Sequence, residues 1–273
     1  MLRARNVAFL ATALISVAAW PVGADMGDAP TTDAATVHSR GWVYRGRLDG
    51  GVALTDSPLI HQVESFVEAG RHYGTPGLVG LLHRVSNTVA QAHGDARLNV
   101  GELSQAGGGD VVGHRSHESG RDVDIGFYLQ DDDGASVEPS RFVRIHGAGR
   151  GWLGEGRRVT FDTERNWALV EALITDAETP VQLIFVAAPL RRRLIRHARA
   201  RRLPTALIER AEWVLLPPEG VAAHDDHFHV RVYCPAGDDT CEDRRPFWQW
   251  VPARFVPSDA ERSPRYWPHS TAP

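Results

Sequence analysis

The sequence lacks several features that would have narrowed its function. It contains no lysine, so all 30 basic residues are arginine, and we attach no function to this bias. Because 34 acidic residues outnumber them, the formal net charge is −4, which gives no sign of a nucleic-acid partner. No His-Glu-x-x-His sequence is present, which excludes a metallopeptidase helix of that type and the glutamate base it carries.

Long apolar runs are also missing, apart from one segment near the N-terminus. Arg3 and Arg5 precede an apolar run, Val7–Ala19, which is too short for a membrane span of roughly 20 residues. Small residues then follow in Val22-Gly23-Ala24, as before a signal-peptidase cut. The run therefore predicts export to the periplasm or the outside of the cell, with no membrane span after cleavage. An uncleaved anchor or a buried helix is the alternative.

Composition along the chain predicts its organisation. Apolar residues make up 42% of the sequence, which is enough for a sizeable core. We predict a signal peptide over residues 1–24, a linker rich in Asp, Ala and Thr over 25–45, one folded domain over 46–250, and a surface tail over 251–273.

Only two cysteines occur, Cys234 and Cys241, in a loop-like stretch that contains proline and glycine. Two cysteines in an exported protein most often pair, so we expect a disulfide that closes a short loop. Free thiols or metal ligands are the alternative.

Helical and strand-like patterns alternate without a regular βαβ repeat. Thr75-Pro76 is typical of a helix start, apolar residues follow at helical spacing, and Gly94 ends the helix. The other predicted helices are Thr163–Ala177 and Pro189–Arg202. The predicted strands are Arg97–Leu103, Asp122–Leu129, Val181–Ala187 and Asp226–Tyr233. This mixture favours an α+β fold, with a central antiparallel sheet flanked by helices.

Two short windows hold five of the 13 histidines. In the second window, Phe228, Val230 and Val232 alternate with polar residues, so His227 and His229 share one face of a strand. Two imidazoles so placed are within reach of one metal ion. One of them can ligate while the other lines the cavity beside it.

The first window runs from Gly113 to Asp124. His114 and His117 lie in a loop bracketed by two glycines. A predicted strand follows the loop, and Asp122 and Asp124 share one face of that strand. With one histidine of the second window, this makes a His₂Asp set that leaves a fourth position open for water, as a catalytic zinc requires. Each motif alone is more often incidental, so the prediction depends on their occurring together.

The two windows together resemble the LAS metallopeptidases, named for lysostaphin, D-Ala-D-Ala peptidases and Sonic hedgehog. Gly-His-x-Ser-His-x-x-Gly-x-Asp-Val-Asp-Ile, from Gly113 to Ile125, is similar to the penicillin-insensitive murein endopeptidases. So is His-x-x-His-x-His-Val-Arg followed by Cys-Pro, from His224 to Pro235. The resemblance implies a LAS-type core and cleavage of D-alanyl–diaminopimelate cross-links in peptidoglycan.

The resemblance also implies a role for each matching residue. His117, Asp124 and His229 would ligate one zinc ion, and His114 would be a fourth ligand of the resting enzyme. His227 would act as the acid–base group, with His224 as another active-site histidine. A D,D-carboxypeptidase or dipeptidase with the same zinc centre is one alternative. A hedgehog-like zinc-binding module without turnover is another.

Nearby acidic residues form a further set of candidates. Asp122, Asp225 and Asp226 are placed where they can orient imidazoles. Ordinary turn or strand-end acids are an equally good interpretation of these three residues.

Overall fold

The fold was analysed in a computed structural model that describes residues 37–94, 96–111, 116–218 and 223–263. The predicted signal peptide, most of the predicted linker and His114 lie outside the described residues.

The described ranges contain helices α1 to α5 and strands β1 to β14. The helices are α1 Glu64–Glu68, α2 Pro76–His93, α3 Thr163–Thr175, α4 Ala188–Ala200 and α5 Thr205–Val214. The strands are β1 His38–Trp42, β2 Arg45–Asp49, β3 Val52–Ala53, β4 Ile60–Gln62, β5 Tyr73–Gly74, β6 Leu98–Val100, β7 Asp122–Gly126, β8 Leu129–Gln130, β9 Ser136–Val137, β10 Arg150–Trp152, β11 Arg158–Phe161, β12 Val181–Phe185, β13 Leu215–Leu216 and β14 His227–Val232.

A six-stranded sheet forms the centre, in the order β13-β12-β14-β7-β6-β4. The inner pairings β12–β14, β14–β7 and β7–β6 are antiparallel, as predicted. Both edge pairings, β12–β13 and β4–β6, are parallel, so the sheet as a whole is mixed. The combination of helices and sheets agrees with the predicted α+β class.

The predicted helices form because their signals act locally. The Thr75 side chain accepts a hydrogen bond from the backbone N–H of Leu78, which caps α2, and Gly94 ends α2 with φ of 83°. The apolar stripe of α2 is buried, and α2 packs against α3, which in turn contacts α4 and α5. Among the described residues, no helix has the length and apolar character needed to cross a membrane.

The N-terminal part of the fold differs from the prediction. Residues His38–Trp42 lie within the predicted linker, yet they form β1 of a hairpin with β2. The Ser39 side chain donates to the backbone oxygen of Ser119, and the backbone N–H of Gly46 donates to the Glu118 carboxylate. The hairpin therefore packs on the loop that carries His117.

The C-terminal part also contains more structure than predicted. Cys234 and Cys241 form the predicted disulfide, with their Cα atoms 5.8 Å apart. The first residues of the predicted surface tail pack on the domain: Val251 and Ser263 are buried, and the Ser263 hydroxyl accepts from the backbone N–H of Phe247 at 2.8 Å.

Candidate metal centre

Strands β7 and β14 lie side by side and supply most of the polar side chains of the centre. Their register places His229 opposite Asp124, Arg231 opposite Asp122, and His227 opposite Gly126. Since side chains alternate along a strand, all of these positions face the same side of the sheet. Hydrophobic residues between them, such as Val123 and Val230, enter the core on the other side.

His117 reaches the centre from the loop before β7. Its side chain is fully buried, and its Nε2 lies 3.5 Å from Oδ1 of Asp124. The backbone of His117 has φ of 71°, in the left-handed region that a non-glycine residue seldom adopts. Such conformations persist where the surrounding structure holds them, often at functional sites.

The structure brings together His117, Asp124 and His229, the three predicted ligands. One donor atom from each lies within 4.8 Å of the other two, and all three residues are buried. His229 Nδ1 is 3.0 Å from Asp124 Oδ1. An ion bound tetrahedrally with bonds of about 2.0–2.2 Å separates its ligand atoms by about 3.3–3.6 Å. The observed separations of 3.0 and 3.5 Å are close to that spacing, so the triad can hold a divalent metal ion.

Asp122 holds the His229 imidazole from the opposite side. Its Oδ1 lies 3.0 Å from His229 Nε2 and accepts from Arg231 Nε at 2.7 Å. Because an ionised carboxylate only accepts, Nε2 carries the proton, and Nδ1 is the nitrogen that faces Asp124. Of the three candidate orienting acids, Asp122 therefore contacts a proposed ligand directly.

Charge in the centre is balanced by close pairing. Burial alone would raise the pKa of Asp122 and of Asp124, but neighbouring charges lower both values: Arg231 acts on Asp122, and His227 and His117 act on Asp124. Burial would lower the pKa of His229, yet its hydrogen bonds with Asp122 and Asp124 raise it to about 9. The site therefore favours positive charge, and a bound metal ion would replace a proton on the imidazole.

His227 lies beside the triad rather than within it. Its Nε2 is 3.6 Å from Asp124 Oδ1, and its Nδ1 is 2.6 Å from the Asp226 carboxylate. Burial would lower the pKa of His227, but the charge of Asp124 and the hydrogen bond with Asp226 raise it. Asp226 thus holds the ring so that Nε2 faces the triad.

Phe142 is a part of the centre that sequence analysis missed. Its ring stacks on His227, with centroids 5.1 Å apart and planes inclined by 26°. Gly126, opposite His227 in register, makes this possible, because a Cβ there would lie 2.9 Å from the Phe142 ring. The sequence shows a glycine two residues after Asp124, but its position opposite His227 depends on the register of β7 and β14, so no sequence signal identified Phe142.

The three remaining candidates differ in where the structure places them. The His224 ring lies 4.9 Å from that of His227 and 5.7 Å from that of His229, so the structure places it in the same cluster. His114 falls outside the described residues. The Asp225 carboxylate lies 3.6 Å from Arg144 Nε, and it forms no hydrogen bond with an imidazole among the described residues.

Comparison with known proteins assigns the chain to a family. The sequence model described as penicillin-insensitive murein endopeptidase matches residues 39–250. The chain belongs to the penicillin-insensitive murein endopeptidase family. The matched region includes all of β1 except His38, although β1 lies within the predicted linker, and it includes every described residue of the centre.

Several curated relatives carry the name penicillin-insensitive murein endopeptidase. The protein of Haemophilus influenzae is 30% identical over 207 residues, which are 74% of this chain and 65% of the relative. The protein of Klebsiella pneumoniae is 28% identical over 217 residues, covering 77% of this chain and 72% of the relative. A Yersinia pestis protein is 31% identical over 185 residues, 64% of this chain and 58% of the relative. The chain thus spans about two thirds of the length of the relatives it matches.

Proposed function

We propose that the chain is an exported, zinc-dependent murein endopeptidase of the LAS type. It hydrolyses peptide cross-links of peptidoglycan, of the D-alanyl–diaminopimelate kind, in the periplasm or outside the cell. The observation that carries the proposal is the buried His117–Asp124–His229 triad with a carboxylate-held imidazole 3.6 Å away, in a chain of this family.

Zinc is the metal that this donor set favours. Two imidazole nitrogens and one carboxylate oxygen are typical zinc ligands, and three protein ligands are typical of catalytic zinc sites. When bound, zinc supplies a Lewis acid that polarises the scissile carbonyl and makes water a nucleophile near neutral pH. His117, Asp124 and His229 hold the ion, and His114 is a further candidate ligand.

His227 is the acid–base group in this proposal. Asp226 accepts from Nδ1 at 2.6 Å, so Nε2 is the nitrogen free to exchange a proton on the side of the triad. His227 takes a proton from the attacking water and returns it to the leaving amine. The ring of His224 lies 4.9 Å from that of His227, in the same cluster of imidazoles.

Digestion of defined muropeptides tests the proposal. The purified protein should convert cross-linked dimers to monomers, lose this activity to a chelator, and regain it when zinc is added. Removal of the terminal D-alanine from pentapeptide monomers, with the dimers left intact, would instead favour the D,D-carboxypeptidase. Zinc binding without turnover of either substrate would favour the hedgehog-like module.

The role of His227 has its own test. His227→Ala should retain zinc in a metal assay and lose dimer cleavage, because the ring contacts the triad without belonging to it. His83→Ala, on α2, is the matched control and should keep both properties. If His227→Ala cleaves dimers as fast as the parent protein, the assignment is wrong.

A further inference from the structure

Trp152 is the one large hydrophobic side chain that is exposed among the residues the structure describes, with 53% of its surface accessible. Other tryptophans in that part of the chain are packed. Trp42 lies against Tyr44, Trp167 is buried, and Trp213, Trp248 and Trp250 stack on one another. Tryptophan is enriched at binding interfaces, because its ring is apolar and its N–H is polar.

The strands around Trp152 place two arginines near it. Arg150 lies two residues earlier on β10 and therefore on the same face. Arg158 is directly opposite on β11, in the register Trp152–Arg158. Arg158 is paired with the Asp132 carboxylate at 2.7 and 2.8 Å, whereas Arg150 is exposed. The face thus presents an indole beside guanidinium groups.

A short segment connects this face to the candidate metal centre. The His146 ring lies 5.6 Å from that of Trp152. The backbone N–H of His146 donates to the backbone oxygen of Arg150 at 2.9 Å. The neighbouring Ile145 N–H donates to the backbone oxygen of Asp225 at 2.7 Å. Asp225 precedes the carboxylate that holds His227, and Phe142, at the start of the segment, stacks on His227. The surface and the centre therefore belong to one continuous stretch of the molecule.

We propose that the Trp152 surface, formed by Trp152, Arg150 and His146, binds polymeric murein outside the bond that is cut. The proposal rests on the proposed function, because it takes murein as the substrate. The face of a sugar ring packs on the indole through its C–H groups, and carboxylates of the stem peptides pair with the guanidinium of Arg150. A glycan that carries carboxylates matches both features of the surface, whereas a small soluble muropeptide needs only the centre.

Comparing two substrates tests this assignment on the zinc-loaded full chain. Co-sedimentation with isolated sacculi measures binding, and initial rates are measured on sacculi and on soluble muropeptide dimers. Trp152→Ala should weaken sacculus binding about tenfold, in the range of an aromatic hot spot, and slow sacculus digestion much more than dimer cleavage. Trp152→Phe should retain most of the binding. Arg150→Gln should weaken it, and the weakening should disappear at high salt.

Controls separate this idea from its rivals. Arg196→Gln removes an exposed arginine from α4 and should bind sacculi like the parent protein. Equal losses on sacculi and dimers, or unchanged sacculus binding by Trp152→Ala, would overturn the proposal. Binding to vesicles of anionic phospholipid is measured in parallel. If Trp152→Ala lost binding to these vesicles but kept binding to sacculi, the surface would be assigned to lipid and the proposal would also be overturned. If the parent protein cleaves no dimers, the proposed function fails, while co-sedimentation still decides whether Trp152 binds murein.

Discussion

Asp122 offers the most informative perturbation, because it serves two neighbours at once. Its buried carboxylate accepts from the imidazole of His229 and from the guanidinium of Arg231. Asp122→Asn keeps the shape and removes the charge. We expect the metal-free protein to become less stable and zinc to bind more weakly, for two different reasons.

The stability effect comes from Arg231. Its side chain is only 6% exposed, so removing the Asp122 charge leaves a buried guanidinium without its ion-pair partner, in contact with the ring of Tyr44. Breaking a buried ion pair from one side costs about 3–5 kcal/mol. The affinity effect comes from His229, whose ring loses its charged partner, and such losses weaken metal binding by about 10–100-fold.

A double variant separates the two effects. In Asp122→Asn/Arg231→Met both charges are gone, and replacing a whole buried pair by apolar groups is often near neutral. The metal-free double variant should therefore regain most of the lost free energy of unfolding, as measured by urea denaturation. Zinc affinity, measured by competition with a chromophoric chelator, should remain low, because no carboxylate holds the imidazole.

Two results would refute this reasoning. If the single and double variants lose the same free energy of unfolding, the unpaired Arg231 charge is not the source of the instability. If the double variant regains parental zinc affinity, Asp122 acts through charge balance alone and does not orient His229.

Two further predictions concern other parts of the fold. Gly126→Ala places a methyl group 2.9 Å from the Phe142 ring and should cost about 1–3 kcal/mol of stability. Gly126→Ala should also lower kcat for dimer cleavage and leave zinc content unchanged, because it displaces the Phe142 ring that stacks on His227. Gly107→Ala, with open space around its Cβ, is the control and should change neither stability nor kcat. A parental kcat for Gly126→Ala would contradict the inference that the Phe142 ring positions His227. Burial alone would raise the pKa of Asp176, but its hydrogen bonds with Arg84 and nearby backbone lower it. Asp176 therefore stabilises the fold above its ordinary pKa of 3.8, and this contribution is lost as pH falls through the lower folded value. The gap in urea stability between the parent and Asp176→Asn should be present at pH 7 and close in acid; a gap that stays constant would contradict the pairing.

The parts of the fold that sequence predicts are those with strong local signals. Helix α2 has a capping threonine, a proline at its first position and a terminal glycine, and it spans Pro76–His93 as expected. Strand β14 alternates apolar and polar residues, and the structure places His227 and His229 on its polar face. The ligand triad followed from these patterns together with the family resemblance.

Features that depend on distant pairing could not be predicted. The contact between His229 and Asp122 joins residues 107 positions apart, and the register that creates it depends on how β7 and β14 align. The parallel edge strands β4 and β13 have only three and two residues, too few for a periodic pattern. Phe142 lies in an irregular segment, where no periodicity relates it to His227.

The hairpin β1–β2 escaped prediction because its inward positions do not carry an apolar pattern. In β2, the buried positions are Gly46 and Leu48. A Cβ at Gly46 would lie 2.7 Å from that of Ser119, so the position requires the absence of a side chain. Close approach of two backbones replaced the hydrophobic signal on which strand prediction depends.

This hairpin also determines where the protein can be shortened. Ser39 and Gly46 hydrogen-bond to Ser119 and Glu118, directly after the metal-facing His117. A fragment starting at residue 46 would keep every proposed ligand but lose β1, and with it the hydrogen bond from Ser39 to that loop. We therefore expect a fragment that keeps the proposed metal affinity to begin at or before His38, and a fragment starting at residue 46 to bind zinc more weakly while its core stays folded.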